Sequence, residues 1–316
     1  MHTTEEITLE GLRAGRSTAA CSEYIHRIDE IFLSSMLQKL LYERLKRKND
    51  DIVRIFQSSH NDWHQTLHTL LFRVIGGTSN REAFEELSRR VTYQMIARES
   101  SSLPNIEALL LGGSGLLELY TSDEHVMRLK QEFDHLRVKY DIEPMSLKAW
   151  RLTNIYLHNH PTLRIAQIAA CMYQNTITME SIVACQRRRD VYRLFSGRAS
   201  QYWIEHFTPH NINTPITRRI GQFKSDLLGI NFVVQLQYAY GSYMQSDGIM
   251  SRALLLLQDI PSEDNRYIRM WDSHKRVTRC AYDSQAMLQL SLEYCLKDRC
   301  EECPLAKRLL KSCSQH

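Results

Sequence analysis

Residues 28–56 read IDEIFLSSMLQKLLYERLKRKNDDIVRIF, and the spacing of their apolar side chains decides the fold. Ile28, Phe32, Met36 and Leu40 recur every fourth position, with Leu33, Leu37, Leu41 and Leu45 alongside them. That period lays one broad apolar stripe along a helix, whereas a half-buried strand would bury alternate residues. The chain on either side repeats the helical pattern. Asn61 or Asp62 stands before WHQTLHTLLFRVI, which ends at Gly76-Gly77, a polar cap in front and left-handed freedom behind. Ser79 with Glu82, and Thr121 with Glu124, have the spacing of capping boxes before two further periodic runs. Pro161 opens PTLRIAQIAACMY, at the position where its missing N–H is not needed. Alternation of strand type is weak and confined to TPITRRIGQF, so the expected architecture is mainly α, with at most a minor hairpin near Thr214–Phe223.

The chain has 316 residues, 43% hydrophobic and 24% charged, enough for a sizeable core with little to suggest disorder. We divide it into an N-terminal extension, 1–20, and a helical domain, 21–316, with a subdivision near 144–160 and a Cys-rich knuckle at 295–303. No basic start followed by an apolar run marks a secretory signal, and no stretch approaches the roughly 20 apolar residues of a membrane span. A cytoplasmic location is expected, where thiols stay reduced, so the eight cysteines are not read as disulfides. The formal charge of +4 is too small to define a nucleic-acid binder by itself. Nucleotide-binding glycine motifs, a nucleophile elbow and internal repeats are all missing from the sequence.

The densest chemistry lies in EYCLKDRCEECPLAKRLLKSC, residues 293–313. Cys295, Cys300 and Cys303 fall at Cys-x4-Cys-x2-Cys followed by proline, which resembles the cluster loop of helix-hairpin-helix DNA glycosylases in part. Cys313 fits poorly as a fourth ligand: ten helical steps from Cys303 span about 15 Å, while sulfurs on one zinc stand no more than roughly 4–5 Å apart. Cys280 is separated from Cys295 by a helical stretch. The expected state is a structural thiol knuckle without metal, and the alternative is zinc or an iron–sulfur cluster completed by a distant residue such as Cys21 or one of the 13 histidines. His64 and His68 are one helical turn apart but lack the glutamate of a zinc-protease motif, and read as two positions of an amphipathic helix. LLLGGSGLLE, 109–118, is a bend between helical pieces rather than a phosphate loop, since no Lys-Ser/Thr pair follows. Arg164 and Gln167, early in a helix, and Arg187 and Arg188, in QRRRD, are the candidate contacts to nucleic acid or a protein partner.

Several stretches together resemble a bacterial family known as domain of unknown function 2851: RIDEIFLSSMLQKLLYERL, NDWHQTLHTLLFRVIG, IEALLLGGSGLLE, KYDIEPMSLKAWRLTNIYLHNHPTLRIAQIA, YAYG and DSQAMLQLSLEYCLKDRCEECPLAKRLL. The resemblance runs from about Cys21 to about Leu310. It implies that Tyr294, Cys295, Cys300 and Cys303 match the family's terminal pattern and offers Cys21 as a fourth partner. Longer members begin with a β-rich region similar to a PD-(D/E)xK nuclease core, for which this chain has no counterpart. The resemblance therefore implies a non-catalytic helical module binding nucleic acid or a protein, the accessory part of a nuclease-like system. The alternative is a DNA-repair-like enzyme carrying zinc or an iron–sulfur cluster on the C-terminal cysteines.

Overall fold

The computed structural model describes residues 21–209, 211–212 and 219–313. The protein is mainly helical, as the periodicity predicts. The helices are α1 (Cys21–Tyr24), α2 (Glu30–Ser58), α3 (Trp63–Ile75), α4 (Arg81–Arg90), α5 (Tyr93–Arg98), α6 (Leu103–Gly113), α7 (Glu124–Tyr140) and α8 (Pro161–Tyr173). They continue with α9 (Met179–Ala184), α10 (Arg188–Leu194), α11 (Gln201–Glu205), α12 (Gln222–Leu228), α13 (Val234–Tyr243), α14 (Asp247–Asp259), α15 (Arg266–Trp271), α16 (Ala281–Leu290) and α17 (Pro304–Cys313). Among the described residues the strands are one antiparallel pair, β1 (His206–Thr208) and β2 (Asn211–Ile212). This hairpin precedes the Thr214–Phe223 stretch suggested by sequence alternation, part of which lies outside the described residues. No helix among the described residues is long and apolar enough to cross a membrane.

Two compact units result. Of the described residues, one comprises 21–50 and 254–313, the other 51–253. The subdivision read near 144–160 falls inside the second unit, and the 1–20 extension lies outside the described residues. In the first unit the α2 stripe is the core face: Leu33, Met36, Leu37, Leu40, Leu41 and Leu45 are all buried, while Ile31, off the stripe, is exposed. In the second, α6 is buried on every side from Ile106 to Gly113 and packs against α7 and α8. A helix of that kind belongs at the centre of a bundle.

The helix caps show how local signals yield to long-range ones. Asp62 caps α3, its carboxylate accepting from the N–H groups of His64 at 2.7 Å and Gln65 at 3.3 Å, as its sequence position suggests. The Ser79/Glu82 box does not form. Asn80 holds the cap position of α4, and its buried side chain pairs with the backbone of Arg151, donating to the carbonyl at 3.0 Å and accepting from the N–H at 2.8 Å. At α7 the cap is Asp123, accepting from Val126 N–H at 3.0 Å, two residues beyond the Thr121 that the sequence suggests. GGSG is a bend: Gly115 takes the left-handed conformation, φ 74°, directly after α6.

Candidate functional site

The C-terminal cysteines are placed by a wide helical turn and a tight one. After α16 the chain runs through a π-helical turn, Ser291–Cys295, in which Leu296 N–H bonds Ser291 O at 2.9 Å. Such turns are rare and occur mostly as single-turn bulges within helices. The chain then folds back, with Arg299 N–H on Tyr294 O at 2.9 Å and Cys303 N–H on Arg299 O at 3.1 Å and Cys300 O at 3.2 Å, before Pro304 starts α17. Helix α1 packs on α17 and brings in Cys21, which is buried like Cys303.

The Cys21 thiol is pushed up, first by burial and then by the neighbouring Cys303, Cys295 and Cys300. Burial, followed by Cys303 and Cys300, pushes Cys295 up to about 12. For Cys303, burial outweighs the backbone N–H groups of Ala306 and Leu305 at the start of α17, and its pKa is raised. The helix terminus therefore acts in the thiolate-favouring direction expected of it, but it loses to desolvation. Burial thus keeps the thiols of Cys21, Cys295 and Cys303 protonated at neutral pH unless a cation replaces the proton. Among the described residues, no three His, Cys, Asp or Glu side chains converge as a ready-made metal-ion site. Cys280 stands apart at the start of α16, influenced by Asp283 and Arg279 rather than by the other thiols.

The arginines of the second unit divide into buried and exposed. Arg164, on α8, is 6% exposed and donates to Gln167 Oε1 and to Asn159 Oδ1, both at 2.9 Å. Gln167, also buried, donates to the Arg219 carbonyl at 3.0 Å. Arg188 grips Asp226 with both arms of its guanidinium, at 2.8 and 2.6 Å, and Tyr192 donates to the same carboxylate at 3.1 Å. Arg187 is exposed beside it. Of the four sequence candidates, the structure thus places Arg187 at the surface and fixes Arg164, Gln167 and Arg188 by hydrogen bonds within the unit. His68 is fully buried, its Nε2 2.8 Å from Val91 O, while His64 stacks on Tyr93.

Sequence reasoning missed two groups. Lys224 on α12 donates to Ile75 O at 3.3 Å, and burial followed by the charge of Arg164 holds it down at about 8. Glu107, 1% exposed in the middle of α6, accepts from Ser200 Oγ at 3.2 Å and lies 3.9 Å from His125 Nε2. Burial raises Glu107 to about 7 and lowers His125 to about 4, so the pair is largely uncharged near pH 6 rather than ionic. Tyr202 is sandwiched between His125 and His206, with ring centroids at 4.0 and 4.1 Å, and donates to Asp123 at 2.8 Å. The visible signal for Glu107 is one carboxylate in the otherwise apolar run IEALLLGG. Glu107 is buried within this cluster, while Asp123, His125, Tyr202 and His206 are half-buried around it. A polar cleft of about 750 Å³ between α3 and α4 includes Arg73 and Arg89, but both are paired to Glu85, at 2.7 and 3.2 Å, which leaves neither spare for a ligand.

Fold and clusters together define a helix-built protein of two units, one closed by cysteines and the other holding a buried arginine, Arg164, with the half-buried Lys224. The chain belongs to the family described as "Protein of unknown function (DUF2851)", whose profile matches residues 3–266. No curated protein and no solved structure matches the chain. The matched span holds Cys21, Arg164, Gln167, Arg187 and Arg188 and stops before Cys295, Cys300 and Cys303, which the sequence resemblance had included.

Proposed function

We propose that the chain is a non-catalytic helical module that binds nucleic acid through the arginine-rich surface around α10. The observation that carries this reading is local charge. Residues 186–198 hold five arginines against one carboxylate, Asp190. Arg187, Arg189, Arg193 and Arg198 are exposed, and the Arg189 and Arg193 side chains are 77% and 76% accessible. Asp190 is occupied by the backbone N–H groups of Gln186 at 3.2 Å and Arg187 at 3.0 Å, and offers the arginines only weak pairing at 4.0 and 3.4 Å. Guanidinium groups in that state can exchange water for phosphate oxygens at little cost.

Anisotropy with fluorescein-labelled duplex and single-stranded oligonucleotides tests this. Binding is expected at low salt, and R187E/R189E/R193E is expected to weaken it by at least about tenfold and to flatten the duplex salt slope by about 3. The labelled strands should remain intact with Mg²⁺ or Mn²⁺, because hydrolysis needs convergent carboxylates to hold the ion. No binding by the unmodified chain, or unchanged binding by the triple variant, would sink the reading.

The mutual influence of Cys21, Cys295, Cys300 and Cys303 favours a second reading, in which these thiols bind a metal ion. Four sulfurs suit zinc, which needs thiolates and would draw them to a common centre. On this reading, anaerobically purified protein holds one zinc per chain and Cys21→Ser loses it. Iron with a visible band near 400 nm would instead indicate a cluster and the DNA-repair-like alternative. Neither metal by elemental analysis would leave a reduced knuckle and end the second reading.

A further inference from the structure

Among the described residues of the second unit, Arg164 and Lys224 have no carboxylate hydrogen-bonded to them. Arg164 is buried, its two hydrogen-bonded arms end on the neutral side chains of Gln167 and Asn159, and its Nε–H has no partner. Lys224 is half-buried and, among the described residues, donates to a carbonyl, that of Ile75. The nearest candidates for a counter-charge are excluded. Asp226, on the same helix as Lys224, is held by Arg188, and residues 206–221, which lead into α12, contain no Asp or Glu.

A third source of positive potential lies alongside. Helix α8 has no side-chain cap at its N-terminus, where Pro161, Thr162 and Leu163 are all buried. Helical side chains lean toward the N-terminal end, and the bond from Arg164 back to Asn159 holds its guanidinium over that end. The Gln167 amide, bonded to Arg219 O at 3.0 Å, ties α8 to the segment that delivers Lys224. The two cations are close enough for Arg164 to depress Lys224.

The buried charge of Arg164 is expensive without a counter-ion, because neutral acceptors satisfy its N–H groups without balancing the charge, and the half-buried Lys224 adds to the same positive potential. An anion at this place would remove the penalty, and an uncapped helix N-terminus adds donors suited to phosphate. We propose that Arg164, Lys224 and the first turn of α8 form a binding site for a phosphate dianion, free or as a monoester. A dianion balances both cations, which a single carboxylate does not. This proposal rests on observations other than those behind the α10 surface.

The test uses the full chain, with inorganic phosphate and adenosine monophosphate as probes, by calorimetry and by thermal unfolding against chloride at equal ionic strength. Saturable phosphate binding is expected, with a melting temperature that rises with phosphate concentration. Lys224→Met is expected to lose at least about tenfold in affinity, while melting no lower than the parent in phosphate-free buffer, since it removes an unbalanced charge. Lys224→Arg should bind within a few-fold of the parent, which keeps the test decisive if the methionine variant folds poorly. R189E/R193E should bind phosphate like the parent. Tighter binding of the nucleotide identifies a monoester as the source, and equal binding identifies the phosphate group alone. No saturable binding by the parent, undiminished binding by Lys224→Met, or equal loss in R189E/R193E would overturn the proposal.

Discussion

Lowering the pH from 7 to 4 is expected to remove on the order of 5 kcal/mol of stability, because three histidines fold as neutral imidazoles. Burial holds His68, His125 and His160 down at about 4. An unfolded histidine takes up its proton near 6.5, so each contributes stability that is present above 6.5 and is lost as pH falls toward 4. For His68, fully buried, the loss approaches about 3 kcal/mol, and it is smaller for the other two, which keep more solvent screening. Glu107 acts in the opposite sense. Its folded pKa of about 7 lies above the ordinary carboxyl value, so its contribution is present at low pH and is lost as pH rises through 7. Three protons bound on unfolding outweigh one released. Urea unfolding at pH 7, 6, 5 and 4 reads the net slope, and Glu107→Gln should steepen the acid loss while raising stability at pH 8. Stability that stayed flat or rose between pH 6.5 and 4 would show that these imidazoles are not held neutral.

Gly115→Ala is expected to cost about 2–4 kcal/mol, a large share of the stability of an ordinary domain. Gly115 has φ 74°, and a methyl built on it would lie 2.3 Å from the Met145 carbonyl oxygen. The left-handed conformation alone costs an L-residue about 1–2 kcal/mol. The rest comes from a backbone obstacle that cannot rotate away, since Met145 N–H is itself bonded to Gly113 O at 2.9 Å. Gly77→Ala separates the two effects, because Gly77 has φ 61° with nothing within 4 Å of the added carbon. Its cost should be about 1 kcal/mol. Equal losses at both positions in denaturant titrations would mean that the contact with Met145 does not constrain the bend.

The candidate clusters were legible in unequal degrees. Cys295, Cys300 and Cys303 are close in sequence, and a short turn before a proline-led helix has to keep them close in space. Cys21 is more than 270 residues earlier, and among the distant candidates only the family resemblance favoured it. Arg164 and Gln167 read as surface contacts because an arginine in a first helical turn ordinarily faces water. In the structure Pro161, Thr162 and Leu163 around it are buried, and the arginine goes in with them. Lys224 gave no sign at all, lying in a short, mixed-polarity stretch.

The sequence by itself determined the helices and their inward faces. A four-residue repeat such as Leu33, Leu37, Leu41 and Leu45 can bury its apolar surface in only one regular conformation. It also determined the bend at Gly115, because the glycines permit what other residues resist. The tertiary structure alone decided which polar groups lost their water. Asn80 was drawn from capping to the backbone of Arg151, Glu107 was enclosed until its carboxyl titrates near 7, and Arg164 and Lys224 were brought together without a carboxylate. Those outcomes rest on pairings between residues far apart in the chain, and desolvation depends on everything packed around a group rather than on its sequence neighbours.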